Sequence, residues 1–290
     1  MRLLHALVRS MRPRQWTKNL LVFAALIFSN NLLNVQLLAR ASLAFVLFCF
    51  ASGAVYLFND VIDAERDRLH EKKRHRPIAA GELSVSAAVF AMLLLTAVSV
   101  SASLLLGVGF LLVILTYIGF QVGYSLELKR HALLDVMAIS AGFVMRALAG
   151  IAAIQVGVST WLLVCTALLA LFLALGKRRH ELLLLEDIAA AHRAALHGYS
   201  SALIDQLISS TTAMTIMSYT LYTFFPSYGA QHEWLLLTVP FVMFGLFRYL
   251  RLVYLHDLGG SPEEILLTDR PLLVDIILFV IVTAVILYLP

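Results

Sequence analysis

Apolar and polar positions alternate in long blocks along this chain, and the blocks predict membrane-crossing helices. Several apolar blocks approach or exceed the roughly 20 residues that a helix needs to cross the hydrocarbon core of a bilayer. Alternation with a period of two over ten-residue segments, which is typical of a transmembrane barrel, is absent. The nine predicted spans cover residues 19–34, 37–58, 84–105, 108–127, 132–154, 158–176, 201–225, 233–255 and 271–289.

Residues 1–18 predict a helix that lies on the membrane surface before the first span. One face of this helix is apolar and is formed by Leu3, Leu4, Leu7 and Val8. An amphipathic helix with basic residues on its other side is typical of the membrane interface, and Trp16 suits the same depth. The segment has no small-residue cleavage site, so we do not predict a cleaved signal.

Composition agrees with an integral membrane protein. The 290 residues are 61% hydrophobic and 14% charged, with a mean hydropathy of +0.87. Soluble domains carry about 25% charged residues, so an ordinary soluble domain is excluded. Cys49 and Cys165 both lie inside apolar blocks, which suits buried thiols better than a disulfide or a metal site. We expect the membrane to be a partner and nucleic acid not to be one.

The basic residues predict the orientation of the chain. Among the 22 Lys and Arg residues, 20 lie in the N-terminal arm, in the loops after the second, fourth and sixth spans, or around the end of the eighth span, and the other two are Arg40 and Arg146. Since basic loops stay on the cytoplasmic side, the N-terminus is predicted to be cytoplasmic and the C-terminus outside. The predicted cytoplasmic polar loops cover residues 59–83, 128–131, 177–200 and 256–270. We therefore predict an all-α transmembrane domain over residues 1–290, with nine helices around a central cavity that opens to the cytoplasm.

The first of these loops begins with an acidic pattern that suits a metal. The sequence N-D-x-x-D-x-x-x-D places Asn59, Asp60, Asp63 and Asp67 within about one 100° arc of a helix. Oxygen ligands of this kind suit Mg²⁺, which also binds substrate phosphates. A solvated helix end is the alternative. The arc starts at the apolar end of the second span, which favours a site facing the helix bundle.

Basic residues follow these acids directly. Lys73, Arg74 and Arg76 lie in the stretch "KKRHRP", and guanidinium and ammonium groups bind phosphate oxygens. Acids for a metal beside bases for phosphate predict diphosphate chemistry. The alternative is a topology signal that also attracts anionic lipid headgroups. Arg76, held before Pro77, is the base we most expect to act on substrate.

The motifs "NDVIDAERD", "KRHRPIAAG" and "YSLELKRHALLD" resemble those of the UbiA-type intramembrane prenyltransferase superfamily. The resemblance implies nine transmembrane helices around a central cavity and Mg²⁺-bound diphosphate on the cytoplasmic side. It implies Asn59, Asp63 and Asp67 as Mg²⁺ ligands, with Asp60 beside them. It also implies that Tyr124, Lys129 and Arg130 contact substrate phosphate.

One departure from the superfamily pattern concerns the loop after the sixth span. A second acidic motif, D-x-x-x-D, is expected there, but the chain reads "LGKRRHELLLLED". Lys177, Arg178 and Arg179 come first, and Glu181 is the nearest acid. Replacing carboxylates by bases predicts a pocket for more anionic charge than one diphosphate carries.

This departure points to one branch of the superfamily. "MRPRQWTKN", "RALAG", "GKRRHEL" and "PEEILLTDR" resemble the decaprenyl-phosphate phosphoribosyltransferase branch. The resemblance implies Mg²⁺-dependent transfer of 5-phosphoribose from phosphoribosyl diphosphate (PRPP) to a polyprenyl phosphate. It also implies release of diphosphate, a bacterial inner-membrane location and a role in arabinan precursor synthesis for the cell envelope. The expected catalytic residues are Asp60, Asp63, Asp67 and Lys129. The expected substrate-binding residues are Arg14, Lys18, Lys73, Arg74, Arg76, Tyr124, Lys129, Arg130, Arg146, Lys177, Arg178 and Glu181.

Three charged residues inside or beside the spans have alternative interpretations. Arg146 lies within the fifth span and either contacts substrate or bonds to neighbouring carbonyls. Gly142 and Gly150 lie about one turn on either side of it and would let another helix approach closely. Asp135 and Asp205 lie near cytoplasmic span ends and are possible pairing partners of the loop bases.

Three other functions remain open at this point. An ordinary UbiA prenyltransferase would move a prenyl group from prenyl diphosphate to an aromatic or other acceptor, but the basic "GKRRHE" loop argues against it. A lipid-phosphate transporter or flippase commonly shows inverted repeats and polar sites at the midplane, whereas polarity here is confined to one face. A non-catalytic membrane adaptor would not need the aligned acids. A homo-oligomer is possible.

Overall fold

The computed structural model describes residues 2–71, 73–186, 198–225, 233–256 and 258–288, and the regular elements of this part are all helical. The α-helices are α1 (Arg2–Ser10), α2 (Ala24–Phe28), α3 (Val35–Ile62), α4 (Ala64–Arg68), α5 (Val85–Ser103), α6 (Val108–Leu126), α7 (Leu134–Ile154), α8 (Thr160–Glu186), α9 (Ser201–Phe224), α10 (Val239–Leu255), α11 (Pro262–Thr268) and α12 (Arg270–Tyr288). Short 3₁₀ helices cover Pro13–Phe23, Lys73–His75, Leu128–Arg130 and Glu233–Thr238.

In the part of the chain that the structure describes, seven helices are long and apolar enough to cross a membrane, which makes the protein a multi-pass membrane protein. They are Val35–Ile62, Val85–Ser103, Val108–Leu126, Leu134–Ile154, Thr160–Leu183, Trp234–Leu255 and Arg270–Tyr288. Each of these matches a predicted span. The predicted span 201–225 is also helical, as α9, but its serine and threonine residues keep it out of this apolar set.

The first predicted span, residues 19–34, is not one continuous helix. The 3₁₀ helix Pro13–Phe23 leads into the short helix α2, which ends at Phe28. Asn30 then takes a left-handed conformation with φ +58°, which asparagine tolerates better than most residues. Asn34 caps α3, since its side-chain oxygen accepts hydrogen bonds from the N–H groups of Gln36 and Leu37. The asparagines that interrupt the apolar pattern thus end one helix and start the next.

The chain divides into two compact units. The first unit contains Met1–Leu26, Asn34–Leu126 and Leu148–Val156, and the second contains Ile27–Leu33, Glu127–Ala147 and Gly157–Pro290. The prediction of one domain over residues 1–290 stays a prediction.

The first unit is built on the packing of α3 against α5. Small residues on α3, such as Ala44 and Ala51, are fully buried and let the neighbouring helix approach closely. Across this contact the Ser99 hydroxyl donates to the carbonyl oxygen of Leu47 at 2.9 Å. Further along α3, the ring of Phe48 packs on that of Tyr117 at 4.5 Å. These contacts fix the helix whose end carries the acidic motif.

Two further contacts of the first unit involve residues that the sequence singled out. A Cβ at Gly150 would lie 2.0 Å from the Val22 carbonyl oxygen, so the N-terminal segment packs directly on this glycine. This close approach agrees with the prediction for Gly150. Arg40 donates to the carbonyl oxygens of Ala153 at 2.7 Å and Leu106 at 2.8 Å. It thereby satisfies one carbonyl in the last turn of α7 and one in the turn between α5 and α6.

The second unit is built on the packing of α8 against α9. Its core includes Phe172 and Tyr249, whose rings lie 5.3 Å apart. The loop between α10 and α11 lies on α8 through two glycines. A Cβ at Gly259 would lie 2.7 Å from the carbonyl oxygen of Gly176, and one at Gly260 would lie 2.7 Å from the ring of His180. Only glycine permits this approach, so the loop is held on the end of α8 that carries the basic motif.

Candidate functional site

The acidic motif lies where α3 ends and α4 begins. Asp63 sits at the junction, so the single helix that the sequence predicts is interrupted there. The Asp63 N–H still donates to the Asn59 carbonyl oxygen at 2.9 Å, and the Asp67 N–H donates to that of Asp63 at 2.8 Å. These bonds keep the helical rise across the break. Asn59, Asp63 and Asp67 therefore follow one another on successive turns.

Two arginines meet the motif and form with it what we call the open cluster: Asp60, Asp67, Arg12 and Arg76. Arg76 donates to Asp67 Oδ2 at 2.6 Å and to Asp60 Oδ1 at 3.2 Å, and Arg12 donates to Asp60 Oδ1 at 2.5 Å. Asp60 and Asp67 are each 2% exposed, whereas the side chains of Arg12 and Arg76 are 31% and 27% exposed. Each guanidinium thus balances buried carboxylates and still presents N–H donors outward.

Arg12 is a candidate site residue that sequence reasoning missed, since it chose Arg14 and Lys18 from the same arm. Arg12 has φ +54° and separates α1 from the following 3₁₀ helix. Its guanidinium also lies 4.8 Å from the centre of the Tyr56 ring. Pro13 was the available signal, because a proline disfavours helical conformation in the residue before it and so marks a turn at Arg12.

Asn59 carries the observation that bears on a metal. Its side-chain oxygen is buried and accepts no hydrogen bond from the described residues. A buried acceptor without a donor costs about 1–3 kcal/mol, and a cation would remove that cost. Among the described residues, no group of three or more His, Cys, Asp or Glu converges on one point. The buried oxygen of Asn59, with the carboxylates of Asp63 and Asp67 on the following turns, offers oxygen ligands that suit Mg²⁺, which takes few protein ligands and completes its shell with water and phosphate oxygens.

The other bases of the first unit lie on short 3₁₀ helices. Lys73 and Arg74 are exposed on Lys73–His75. In the arm, Arg14 is exposed and Lys18 is half-buried on Pro13–Phe23. The predicted contacts of these four bases with substrate stay predictions.

In the second unit, Arg178 is the centre of a buried cluster that contains Asp135, Glu181 and Tyr199. Arg178 Nε donates to Asp135 Oδ2 at 2.5 Å, and its Nη1 donates to Glu181 Oε2. Arg178 is 1% exposed and Asp135 is fully buried. The predicted pairing of Asp135 is confirmed. The burial of Arg178 favours a structural role for Arg178 and Glu181, where the sequence led us to expect substrate binding.

Tyr199 completes this buried cluster from the chain that precedes α9. Its hydroxyl donates to Asp135 Oδ1 at 2.8 Å and accepts the Leu133 N–H at 2.7 Å. Burial, and to a smaller extent its hydrogen bond to Asp135, raises the pKa of Tyr199 well above its ordinary value. The phenol therefore stays protonated and serves as a donor. The cluster joins α7, α8 and the start of α9.

The neighbouring bases of α8 have different environments. Arg179 donates from Nε to Asp205 Oδ1 at 2.9 Å, which confirms the predicted pairing of Asp205. Its guanidinium lies 3.9 Å from the centre of the Tyr254 ring. Lys177 is half-buried. Its predicted contact with substrate phosphate stays a prediction.

Arg146 bonds within its own helix. It is 5% exposed, and its Nη1 donates to the Gly142 carbonyl oxygen at 2.7 Å. The guanidinium also lies 5.5 Å from the Phe143 ring centre. Of the two interpretations left open by the sequence, these contacts support carbonyl bonding.

The loop after α6 carries the remaining predicted residues. Tyr124 is half-buried near the end of α6, and Lys129 and Arg130 lie on Leu128–Arg130. Arg130 lies 3.7 Å from Glu127, and His131 lies 2.9 Å from the same carboxylate. These exposed pairs leave the loop bases accessible to solvent.

Known proteins resemble this chain in sequence over most of its length. Residues 20–263 match the model of the UbiA prenyltransferase family. A decaprenyl-phosphate phosphoribosyltransferase of Corynebacterium glutamicum is 37% identical over 92% of this chain and 82% of its own length. One of Mycobacterium tuberculosis is 35% identical over 93% of this chain and 90% of its own.

Solved structures show the same fold. A UbiA homolog from Archaeoglobus fulgidus bound to GPP and Mg²⁺ has a TM-score of 0.72 and 18% identity, covering 97% of this chain and 99% of its own. A digeranylgeranylglyceryl phosphate synthase has a TM-score of 0.70 and 15% identity over 99% of each chain. The chain belongs to the UbiA prenyltransferase family and, within it, to the decaprenyl-phosphate phosphoribosyltransferases.

Proposed function

We propose that this protein transfers 5-phosphoribose from PRPP to a polyprenyl phosphate of the decaprenyl type and releases diphosphate. The observation that carries the proposal is the identity of 35–37%, over more than nine-tenths of the chain, to proteins named decaprenyl-phosphate phosphoribosyltransferase. The open cluster supports it, because it offers guanidinium donors for phosphate beside oxygen ligands for a metal. The basic motif of α8, in place of a second acidic one, supports a substrate pair rich in phosphate.

The open cluster would bind the diphosphate of PRPP. Asn59, Asp63 and Asp67 would hold Mg²⁺, which when bound neutralises charge on the leaving diphosphate. The exposed edges of Arg12 and Arg76 would donate hydrogen bonds to the diphosphate oxygens. Asp60 is held by both arginines, so its part is to keep these two guanidinium groups in place. Asp60 therefore acts as a positioning residue.

The chemical step exchanges one C–O bond for another at C1 of the ribose. The bond from C1 to the diphosphate oxygen breaks, and the oxygen leaves with the electron pair. The lipid phosphate oxygen, which is already anionic at neutral pH, forms the new bond, so no protein base is required. Positive charge develops at C1, as in other glycosyl transfers. One-step attack inverts C1, and a covalent ribosyl-enzyme or an α-linked product would contradict it.

Lys177, Lys129, Arg130 and Tyr124 are the proposed contacts for the other phosphates, either the ribose 5-phosphate or the lipid phosphate. Of the α8 bases, Lys177 is the one that we propose to contact a substrate phosphate. Arg178 and Glu181 hold the end of α8 through the buried cluster, and their predicted contacts with substrate stay predictions.

The setting of the reaction is also proposed. The seven apolar helices, together with α9 and the first predicted span, would make nine crossings of the bacterial inner membrane. The charge pattern supports a cytoplasmic N-terminus and active site, with the C-terminus outside. The product would serve arabinan precursor synthesis for the cell envelope. A homo-oligomer remains compatible with these features.

The test is a transfer assay with the purified protein in detergent, Mg²⁺ and polyprenyl phosphate. PRPP is compared with a parallel reaction that contains prenyl diphosphate and 4-hydroxybenzoate, and Asp63→Ala is run in both. We expect lipid-linked phosphoribose that disappears in the variant and on chelation of the metal. Prenylated aromatic product without any product from PRPP would instead make the protein an ordinary prenyltransferase of the family.

A further inference from the structure

A groove between α9 and α10 in the second unit has no part in the proposed reaction. Its volume is about 630 Å³, within the range of about 300–1,000 Å³ that is usual for small-molecule sites. On α9 the groove runs from Ile208 to Ile216, which is about 12 Å at 1.5 Å per residue. Small residues at Ser209 and Ala213 give the groove its depth.

The walls of the groove are apolar along most of this length. Phe247 and Leu250 face it from α10, and the Thr212 hydroxyl on α9 is already bonded to the carbonyl oxygen of Ile208 at 2.7 Å. Since α10 lies in a helix apolar enough to cross a membrane, we expect exposed groups such as Phe247 to meet lipid chains. A concave apolar surface of this length suits part of an acyl chain.

One end of the groove is polar and positively charged. Arg251 and Tyr254 line it in the last turns of α10, and both are exposed. The Tyr254 hydroxyl donates to Asp205 Oδ1 at 2.7 Å, and Arg179 covers its ring, so Tyr254 is held in place. Arg179 and Asp205 balance each other's charge.

Among the described residues, Arg251 acts electrostatically on Asp269. The two carboxylate oxygens of Asp269 already accept hydrogen bonds from Arg248 at 3.0 and 2.7 Å. Arg248, Arg251 and Asp269 therefore carry one net positive charge. An apolar groove that ends at one unbalanced cation complements a lipid with one anionic phosphate.

We propose that this groove binds an anionic glycerophospholipid, with an acyl chain along α9 and its phosphate at Arg251. Lys129, Arg130, Lys177 and Arg178, which belong to the predicted phosphate-binding set, are not among the groove residues. The occupant is thus a lipid of the surrounding bilayer and not the polyprenyl phosphate that reacts.

The test is native mass spectrometry of the detergent-purified protein with phosphatidylglycerol and phosphatidylcholine of identical acyl chains. Wild type is compared with Arg251→Gln and Ala213→Phe. Arg270→Gln is the matched control, because Arg270 is an exposed arginine at the start of α12 and outside the groove. The spectra report bound lipid and oligomeric state together.

We expect wild type to retain phosphatidylglycerol in preference to phosphatidylcholine. Arg251→Gln should lower phosphatidylglycerol occupancy about fivefold, the worth of one cation near a lipid surface, and Arg270→Gln should change it by less than about twofold. Ala213→Phe should fill the groove and displace both lipids.

Four outcomes would overturn the proposal. They are equal retention of the two lipids by wild type, equal losses in the two arginine variants, displacement by an equal amount of polyprenyl phosphate, and a dimer that Ala213→Phe disrupts. Since no PRPP is used, this experiment can fail while the proposed transfer stands, and the reverse also holds.

Discussion

The open cluster of the first unit and the buried cluster of the second contain the same kinds of groups in opposite settings. Both pair arginine with two carboxylates. In the open cluster the carboxylates are buried and the two guanidinium groups stay about 30% exposed, whereas in the buried cluster Arg178 is 1% exposed. The open cluster also lies beside a buried amide oxygen without a donor. We therefore expect exposure of the cation, and not its mere presence in a basic motif, to separate a substrate-binding arginine from a structural one.

The largest expected effect tests the metal side of the open cluster. Asp63→Ala should lower kcat/KM for PRPP at least about a thousandfold, because a metal ligand that neutralises a leaving diphosphate is worth several kcal/mol. Glu65→Gln, an exposed acid of the same segment, is the control and should stay close to wild type. Normal activity in Asp63→Ala would remove Asp63 from the site.

A substitution in the buried cluster should lower the stability of the protein and leave substrate binding unchanged. Arg178→Met should lower the free energy of unfolding by about 3–5 kcal/mol, because it leaves the buried Asp135 carboxylate without its cation. The measurement is denaturant unfolding in detergent. Arg179→Met, whose partner Asp205 is 39% exposed, should cost about 1 kcal/mol or less. A stable Arg178→Met protein with a raised KM for PRPP would make Arg178 a phosphate ligand after all.

Arg12 offers a finer test of the open cluster. Arg12→Ala should raise KM for PRPP by roughly 10- to 100-fold, as expected for loss of a hydrogen bond to a charged group worth about 1.5–3 kcal/mol. Arg14→Ala removes the same charge two residues away, where the side chain is exposed and outside the cluster. Equal effects of the two variants would reduce the role of Arg12 to general electrostatic attraction.

In exposure, the ion pair of Arg248 and Asp269 lies between the open cluster and the buried cluster, with side chains 20% and 14% exposed. Hydrogen bonds from Arg248 lower the pKa of Asp269 below its ordinary value, so the pair stabilises the fold above the unfolded pKa of about 4 and loses this contribution as pH falls through the folded pKa. The difference in unfolding free energy between wild type and Asp269→Asn should therefore be constant near neutral pH and shrink in acid. A difference that does not change with pH would mean that the pair contributes no charge interaction.

Sequence reasoning located helices better than it located contacts. The block 108–127 corresponds to α6 (Val108–Leu126) and the block 132–154 to α7 (Leu134–Ile154), because hydropathy alone decides where a helix lies in lipid. The prediction of one span over residues 19–34 was less accurate. The turn at Asn30 depends on a local backbone preference, which the average hydropathy of the segment does not show.

The candidate site shows the same difference between local pattern, which the sequence predicts, and long-range contact, which it does not. The spacing of Asn59, Asp63 and Asp67 was readable because those residues lie within one stretch of chain. The contacts Arg12–Asp60 and Arg178–Asp135 join residues 48 and 43 positions apart, and a basic motif does not say which of its members will meet a distant acid. Only the packing of the helices decides that.

Gly150 shows how a residue can affect the reaction without contacting any substrate. A side chain here would displace the backbone at Val22, which belongs to the same 3₁₀ segment that Arg12 begins. In a genetic screen scored by product formation, a Gly150 allele would thus resemble a lesion of the reaction centre. Resistance or loss-of-function variants at this position would act by moving Arg12 and not by changing a contact with an inhibitor or a ligand.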